Sequence, residues 1–338
     1  MRLALAVIVS ALVLCAPARA QERPLGVVDQ TLARFDRDTL LSTGPTIPIP
    51  EAHAMPIMGP GGTRLVLGVS SPGEPGVPTT GQGRVGLLVV DPAAMRVERQ
   101  IRAGIAAESV VFPGMIAAVL QDGALIVVDP DDGRIVSRRE VGFSFGTPGG
   151  AHVAGRGVLV NQVRRGRGVE VVVVSAGGRI RTTFVRLPGV GRTVALAVSD
   201  DRAYIVGNRR IAVLDPKTLA VRTHRFDGSV TTAAYADGAL AIGGASGLRI
   251  YDTTTWRLRA RDDHSSNVFA SGRTLIASGR GHVTARDPAG SELWRADGNA
   301  AAVAAGRVYA RPAVLDVATG ERVGTHPESH FQLRLIDP

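Results

Sequence analysis

The chain has 338 residues, of which 45% are hydrophobic, 4% aromatic and 20% charged, with a formal net charge of +9. That apolar content suits a folded protein and excludes a disordered polyelectrolyte. The positive charge is nearly all arginine, Lys217 being the one lysine, and it is not interleaved with aromatic residues, so no nucleic-acid partner is expected.

Residues 1–20 read as an export signal: Arg2 supplies the positive start, 3–14 are apolar, and Ala18, Arg19 and Ala20 form an A-x-A cleavage site. The apolar run of about 12 residues is shorter than the roughly 18 that span a membrane, and no longer one follows, so no membrane span is expected. Cleavage after Ala20 removes Arg2 and Arg19 and lowers the net charge from +9 to +7. The single cysteine, Cys15, lies within this segment. Lipid anchoring through Cys15 is the lesser alternative, because Leu14 stands where an attachment box carries a small residue. The mature chain, 21–338, then has no cysteine, which excludes disulfides, thiolate metal sites and cysteine nucleophiles. It is expected to be secreted, periplasmic or otherwise in the cell envelope.

Downstream, a short apolar strand ending in Asp recurs. The copies are LARFD (32–36), LLVVD (87–91), LIVVD (125–129), VVVVS (171–175), IAVLD (211–215), LRIYD (248–252), VTARD (283–287) and AVLD (313–316). Asp36 and Asp316 are 280 residues apart across seven intervals, or 40 per repeat, the period of a four-stranded propeller blade. Asp91, Asp129, Asp215 and Asp287 each precede a proline, so each carboxylate is expected to accept from turn N–H groups while proline presets the next φ. Gly133, Gly290 and Gly320 follow where a positive φ is tolerated. These acids are therefore structural and not catalytic.

Two further strands precede each Asp strand, as at 193–198 and 203–206, 231–236 and 239–242, and 267–270 and 274–277. Each blade is thus a meander of four strands. At the N-terminus, 25–29, 31–36 and 42–49 match second, third and fourth strands with no first, while 331–336 is a lone strand at the other end. The expected fold is an all-β, single-domain β-propeller over 21–338, with eight blades and a ring closed by both termini. Seven blades is the alternative, because the last interval, Asp287 to Asp316, is only 29 residues.

Residues 203–223, with AYIVGN and IAVLDPKTLAVRT, resemble the YVTN-type propeller repeats of surface and exported proteins. Residues 314–323 (VLDVATGERV) and 285–294 (ARDPAGSELW) are similar to quinoprotein-type (PQQ-like) repeats. The resemblance spans nearly all of the mature chain and implies blade geometry rather than an activity. Quinone-binding members are expected to carry tryptophan-rich repeats and a stacking platform. Only Trp256 and Trp294 are present, so neither PQQ nor another cofactor is predicted.

In a meander the hairpins into the Asp strands share one end of the ring with the crossings between blades. Two insertions fall there, 70–84 and the basic tip containing Arg164, Arg165 and Arg167, and such loops commonly carry binding. Near the starts of the first strands, around the channel mouth, lie His53, Glu108, His152, Arg192, Thr231, Asn267, Asn299 and His330, a polar set on otherwise apolar strands. Hydrated channel residues and a shallow ligand pocket both account for them. The three histidines follow the blade period and no metal motif, so no metal is assigned and a divalent ion stays a minor alternative. The expected function is an exported, non-catalytic, monomeric propeller that binds a protein partner or ligand through the insertion-bearing face. The alternatives are a metal-assisted lyase or hydrolase at the channel mouth and an assembly scaffold for envelope proteins.

Overall fold

The computed structural model describes residues 23–28, 31–49, 51–52, 57–58, 64–70, 85–104, 106–120, 122–141, 149–162, 167–188, 194–326 and 333–336. Within them the strands form eight antiparallel sheets, seven of four strands and one of five. These are the blades of a propeller: blade 1 (25–48 with 333–336), blade 2 (51–102), blade 3 (106–140), blade 4 (149–186), blade 5 (195–225), blade 6 (232–262), blade 7 (267–297) and blade 8 (300–325). Strands are lettered A to D outward from the axis. In blade 6 they are Thr232–Ala236, Ala239–Gly243, Leu248–Asp252 and Leu258–Asp262. Blade 8 is complete, with Ala300–Ala304, Arg307–Ala310, Ala313–Asp316 and Arg322–Thr325. Its short interval reflects a connection of only Arg311 and Pro312 between Ala310 and Ala313, so the count is eight and not seven. In blade 2 the first strand is split into Glu51–Ala52 and Ile57–Met58, both paired with Leu65–Ser70. In blade 1, Leu333–Ile336 lies antiparallel to Leu25–Val28, Leu25 opposite Ile336 and Val28 opposite Leu333.

The burial of each strand follows from its place in the ring. Strands B and C have a neighbouring blade on both faces, so Met115–Leu120, Ala124–Val128, Ala203–Gly207 and Ala239–Gly243 are buried at every residue. Small and β-branched residues fill such two-sided packing, and an alternating pattern would leave polar groups between sheets. Strand D lies at the rim, and Ile135–Glu140 is exposed throughout. Among the described residues the buried apolar side chains fall into eight clusters, each spanning two neighbouring blades. One joins Ala33, Phe35 and Leu40 of blade 1 to Ala302, Tyr309 and Val314 of blade 8. The same junction carries Arg307, whose Nε donates to Asp38 and whose Nη1 donates to Asp316, both at 2.6 Å. The Tyr309 hydroxyl donates to the Arg37 carbonyl at 3.0 Å.

Between strands C and D the Asp-initiated turn recurs with one geometry in blades 1, 2, 5, 6 and 8. In blade 7, by contrast, Asp287 accepts from Ser291 N–H and Gly290, three residues on, takes the positive φ. The Asp215 carboxylate accepts from the N–H groups of Lys217 and Thr218, Asp252 from Thr254 and Thr255, and Asp316 from Ala318 and Thr319. Backbone bonds to Thr255 and Thr254, with the Arg259 guanidinium, hold the Asp252 carboxyl well below the usual carboxylate range. Four residues after the Asp the chain enters the left-handed region. Gly133 and Gly320 do so at φ 75°, but Leu40, Met95, Leu219 and Trp256 occupy the same position at φ 49–65°. An apolar side chain at this position packs against a blade: Leu40 and Met95 are buried. That contact offsets the strain of the conformation.

With the turn's N–H groups engaged, its carbonyls remain as acceptors, and the outer strand of the preceding blade supplies donors. Arg99 of blade 2 donates to the Asp131 and Asp132 carbonyls of blade 3. Arg181 of blade 4 donates to those of Lys217 and Thr218, Arg259 of blade 6 to that of Pro288, and the Trp294 indole of blade 7 to that of Val317 at 2.8 Å. The turns come so close that a Cβ on Gly320 would sit 2.6 Å from the Trp294 ring. Gly320→Ala is therefore expected to cost about 1–3 kcal/mol through overpacking and a disfavoured φ. Arg307→Met is expected to cost about 1–2 kcal/mol by removing the cation that Asp38 and Asp316 share across the junction. Urea unfolding of the two variants checks both values.

Candidate functional site

The ring has two unlike ends. B–C hairpins and D–A crossings form the loop end, and A–B and C–D turns form the turn end. The pairing of Ser70 with Val85 places segment 71–84 at the loop end of blade 2, and that of Gln162 with Val169 places 163–166 at the loop end of blade 4. Both segments lie outside the described residues, with Arg164 and Arg165. Arg167 is exposed at the flank of the second, and its carbonyl accepts from Leu187 N–H at 3.1 Å.

The polar residues expected around the channel mouth divide. His53, Arg192 and His330 lie outside the described residues. Thr231, Asn267 and Asn299 stand at or just before the start of strand A in blades 6, 7 and 8, the same level in three consecutive blades. Thr231 is exposed and its N–H donates to the Gly243 carbonyl at 2.7 Å. Asn299 Oδ1 accepts from Gly281 N–H at 3.2 Å, which ties it to the hairpin of blade 7. Glu108 is the third residue of Ala106–Phe112, opposite Val119.

His152 sits elsewhere. It is the fourth residue of Gly149–Val153, opposite Gly157. At about 3.3 Å per residue, three steps carry it to the turn end of this short strand. There its ring meets Phe112 of blade 3 edge-on, with centroids 5.1 Å apart. Its Nε2 is buried without a hydrogen-bond partner, and burial pushes its pKa down against a smaller opposing pull from the Val111 backbone. Among the described residues no three His, Cys, Asp or Glu side chains are grouped to hold a metal ion.

The turn end carries a feature that the sequence reading passed over. Between blades 5 and 6, Arg202, Tyr204, Asp215, Arg222, His224, Thr253 and Trp256 line a groove of about 420 Å³. His224, on strand D of blade 5 (Val221–Arg225), stacks on Trp256 of the blade 6 turn at 3.9 Å and 13°. Tyr204 lies 6.3 Å from the same indole and stacks on Tyr235 at 5.5 Å. Burial, with the Arg222 cation, pushes the His224 pKa down, so its ring is neutral at neutral pH. Asp215 is engaged by its own turn and by Arg202, at 3.4 Å. The Arg222 side chain makes no hydrogen bond among the described residues, although on the outer strands of blades 2, 4 and 6 an arginine is tied to the next turn. His224 and Trp256 are 32 positions apart, beyond local pattern reading. The legible signal was an aromatic residue at the fourth position after Asp252.

No family model matches the chain, and no curated protein matches it. Among solved structures it is similar to the crystal structure of BamB from Moraxella catarrhalis, with a TM-score of 0.60 and 12% identity over 89% of this chain and 95% of that one. A structure of Kluyveromyces lactis Hsv2 with a complete loop 6CD gives a TM-score of 0.49 and 10% identity over 70% and 73% of the two chains. At these identities the likeness is one of fold.

The lowered His152 pKa sets a sign for pH dependence. The unfolded chain, titrating near about 6.5, binds more protons than the folded one in that range. This contribution to stability is therefore complete above the ordinary histidine value and falls as pH drops through it. His152→Phe is expected to shrink the difference between urea midpoints at about pH 5.5 and pH 7.5. It should leave stability at neutral pH equal or up to about 1 kcal/mol higher, because an unpartnered buried nitrogen is gone.

Proposed function

We infer that this protein is an exported, non-catalytic scaffold of the cell envelope that holds a protein partner on the loop end of its ring. The observation that carries the reading is the placement of both insertions. Segments 71–84 and 163–166 join strands B and C of blades 2 and 4, so both are attached at the loop end, on either side of blade 3. A rigid ring that lengthens two loops at one end presents a composite surface, and such loops are where binding is commonly housed. The likeness of fold to BamB supports the propeller architecture on which this reading rests. Thr231, Asn267 and Asn299, with His53, Glu108, Arg192 and His330, would form a polar floor beside those loops, and Arg164, Arg165 and Arg167 a basic edge. The signal at 1–20 would deliver residues 21–338 as one monomeric domain.

In this reading both termini complete blade 1 and lock the ring, which keeps the loop end in one geometry. Removing 331–338 exposes the edge of Leu25–Val28 and is expected to lower the melting temperature by several degrees, the size of effect that about 1–3 kcal/mol produces in a chain of this size. An unchanged melting temperature would count against closure by the termini. The binding face is tested by placing a photo-crosslinker at Thr79 or Arg164 and, as a control, at the exposed Thr319 in the turn end of blade 8. The expected outcome is one envelope protein crosslinked from the first two sites alone, its purified form binding the intact chain and not one whose 71–84 segment is cut to two glycines. Equal crosslinking from Thr319, or undiminished binding by the shortened chain, would overturn the reading.

A further inference from the structure

The groove between blades 5 and 6 lies at the opposite end from the insertions and has no part in the function proposed above. Its lining combines two unlike surfaces. Trp256 and His224 form a flat stacked pair with Tyr204 behind them, and Arg222 adds a cation beside Arg202, which Asp201 and Asp215 already pair. Asp215 accepts from two turn N–H groups and is ion-paired with Arg202, so the uncompensated charge is that of Arg222. At the junctions of blades 2–3, 4–5 and 6–7 an outer-strand arginine is consumed by the next blade's turn carbonyls. At this junction the His224–Trp256 stack spans the gap instead, and the arginine is left facing the groove.

We propose that this groove is a second docking site, and that its occupant is an extended acidic segment of a partner protein with alternating apolar side chains. Charge complementarity selects a carboxylate for Arg222, which offers a planar two-pronged donor. The ring pair offers a flat apolar face for the neighbouring side chain. Val221–Arg225, which forms one wall, is the outermost strand of its sheet, and its free edge gives an extended chain main-chain donors and acceptors to pair with. A peptide strand uses all three features together.

The test uses the mature full chain and two short fluorescein-labelled peptides, one alternating glutamate with valine and phenylalanine, the other with lysine in place of glutamate. Fluorescence anisotropy is expected to show saturable binding of the acidic peptide alone. Arg222→Glu, at an exposed position that leaves the cores untouched, is expected to weaken it about tenfold or more. Trp256→Leu should weaken it as well, its folding checked by the urea midpoint. Lys217→Glu, one turn away and outside the groove, should leave binding unchanged, as should shortening of 71–84. Binding of the lysine peptide with equal affinity, full binding by Arg222→Glu, or an equal loss in Lys217→Glu would each overturn the proposal.

Discussion

The ring depends on a division of labour within one turn. The carboxylate at the end of strand C takes the turn's N–H groups, as Asp215 does with Lys217 and Thr218. The carbonyls, which can find no partner in so tight a turn, are turned toward the preceding blade. At the 2–3, 4–5, 6–7 and 7–8 junctions an arginine or tryptophan there donates to them, so the bond that ends one hairpin also helps set its angle to the next sheet. Hydrogen bonds that involve a charged group contribute about 1.5–3 kcal/mol when buried, and exposed ones such as these considerably less. The larger stabilisation comes from the apolar cluster beneath each pair of blades. The turn bonds select the one angle at which those clusters close.

That division explains what could be read from residues alone. The Asp strand is legible because it combines a fully buried run with a fixed polar ending, two signals that reinforce each other over a regular period. The count of eight is legible for the same reason, and the short last interval misleads only until the tight Arg311-Pro312 connection is seen. Innermost strands are harder to read. They are short, and in blade 2 the described pieces, Glu51–Ala52 and Ile57–Met58, are two residues each, so little in the sequence marks where the strand begins. The misplacement of His152 follows directly: in a strand of five residues an error of three positions carries a side chain from one end of the ring to the other.

The groove was invisible for a different reason. Its walls come from an outer strand, a turn of the next blade and a buried tyrosine, and no one of these is unusual alone. Arg222 sits in a strand that resembles its counterparts. What distinguishes it is a missing partner in the neighbouring blade, and a missing contact has no sequence signature. Trp256 was the available clue. A left-handed turn position is a poor place for so large a residue, and its presence implies a packing role strong enough to outweigh the strain.

The division of the interior into eight clusters, each shared by only two blades, bears on how such a molecule can change. In a domain with one continuous core, a substitution disturbs neighbours in every direction. Here its effects stop at the next sheet, because each cluster has its own lining. A junction can therefore exchange a guanidinium bridge for a ring stack while the other seven keep their form. The architecture thus tolerates local invention: new recognition surfaces can arise at one seam without renegotiating the whole, much as repeat arrays accept variation unit by unit.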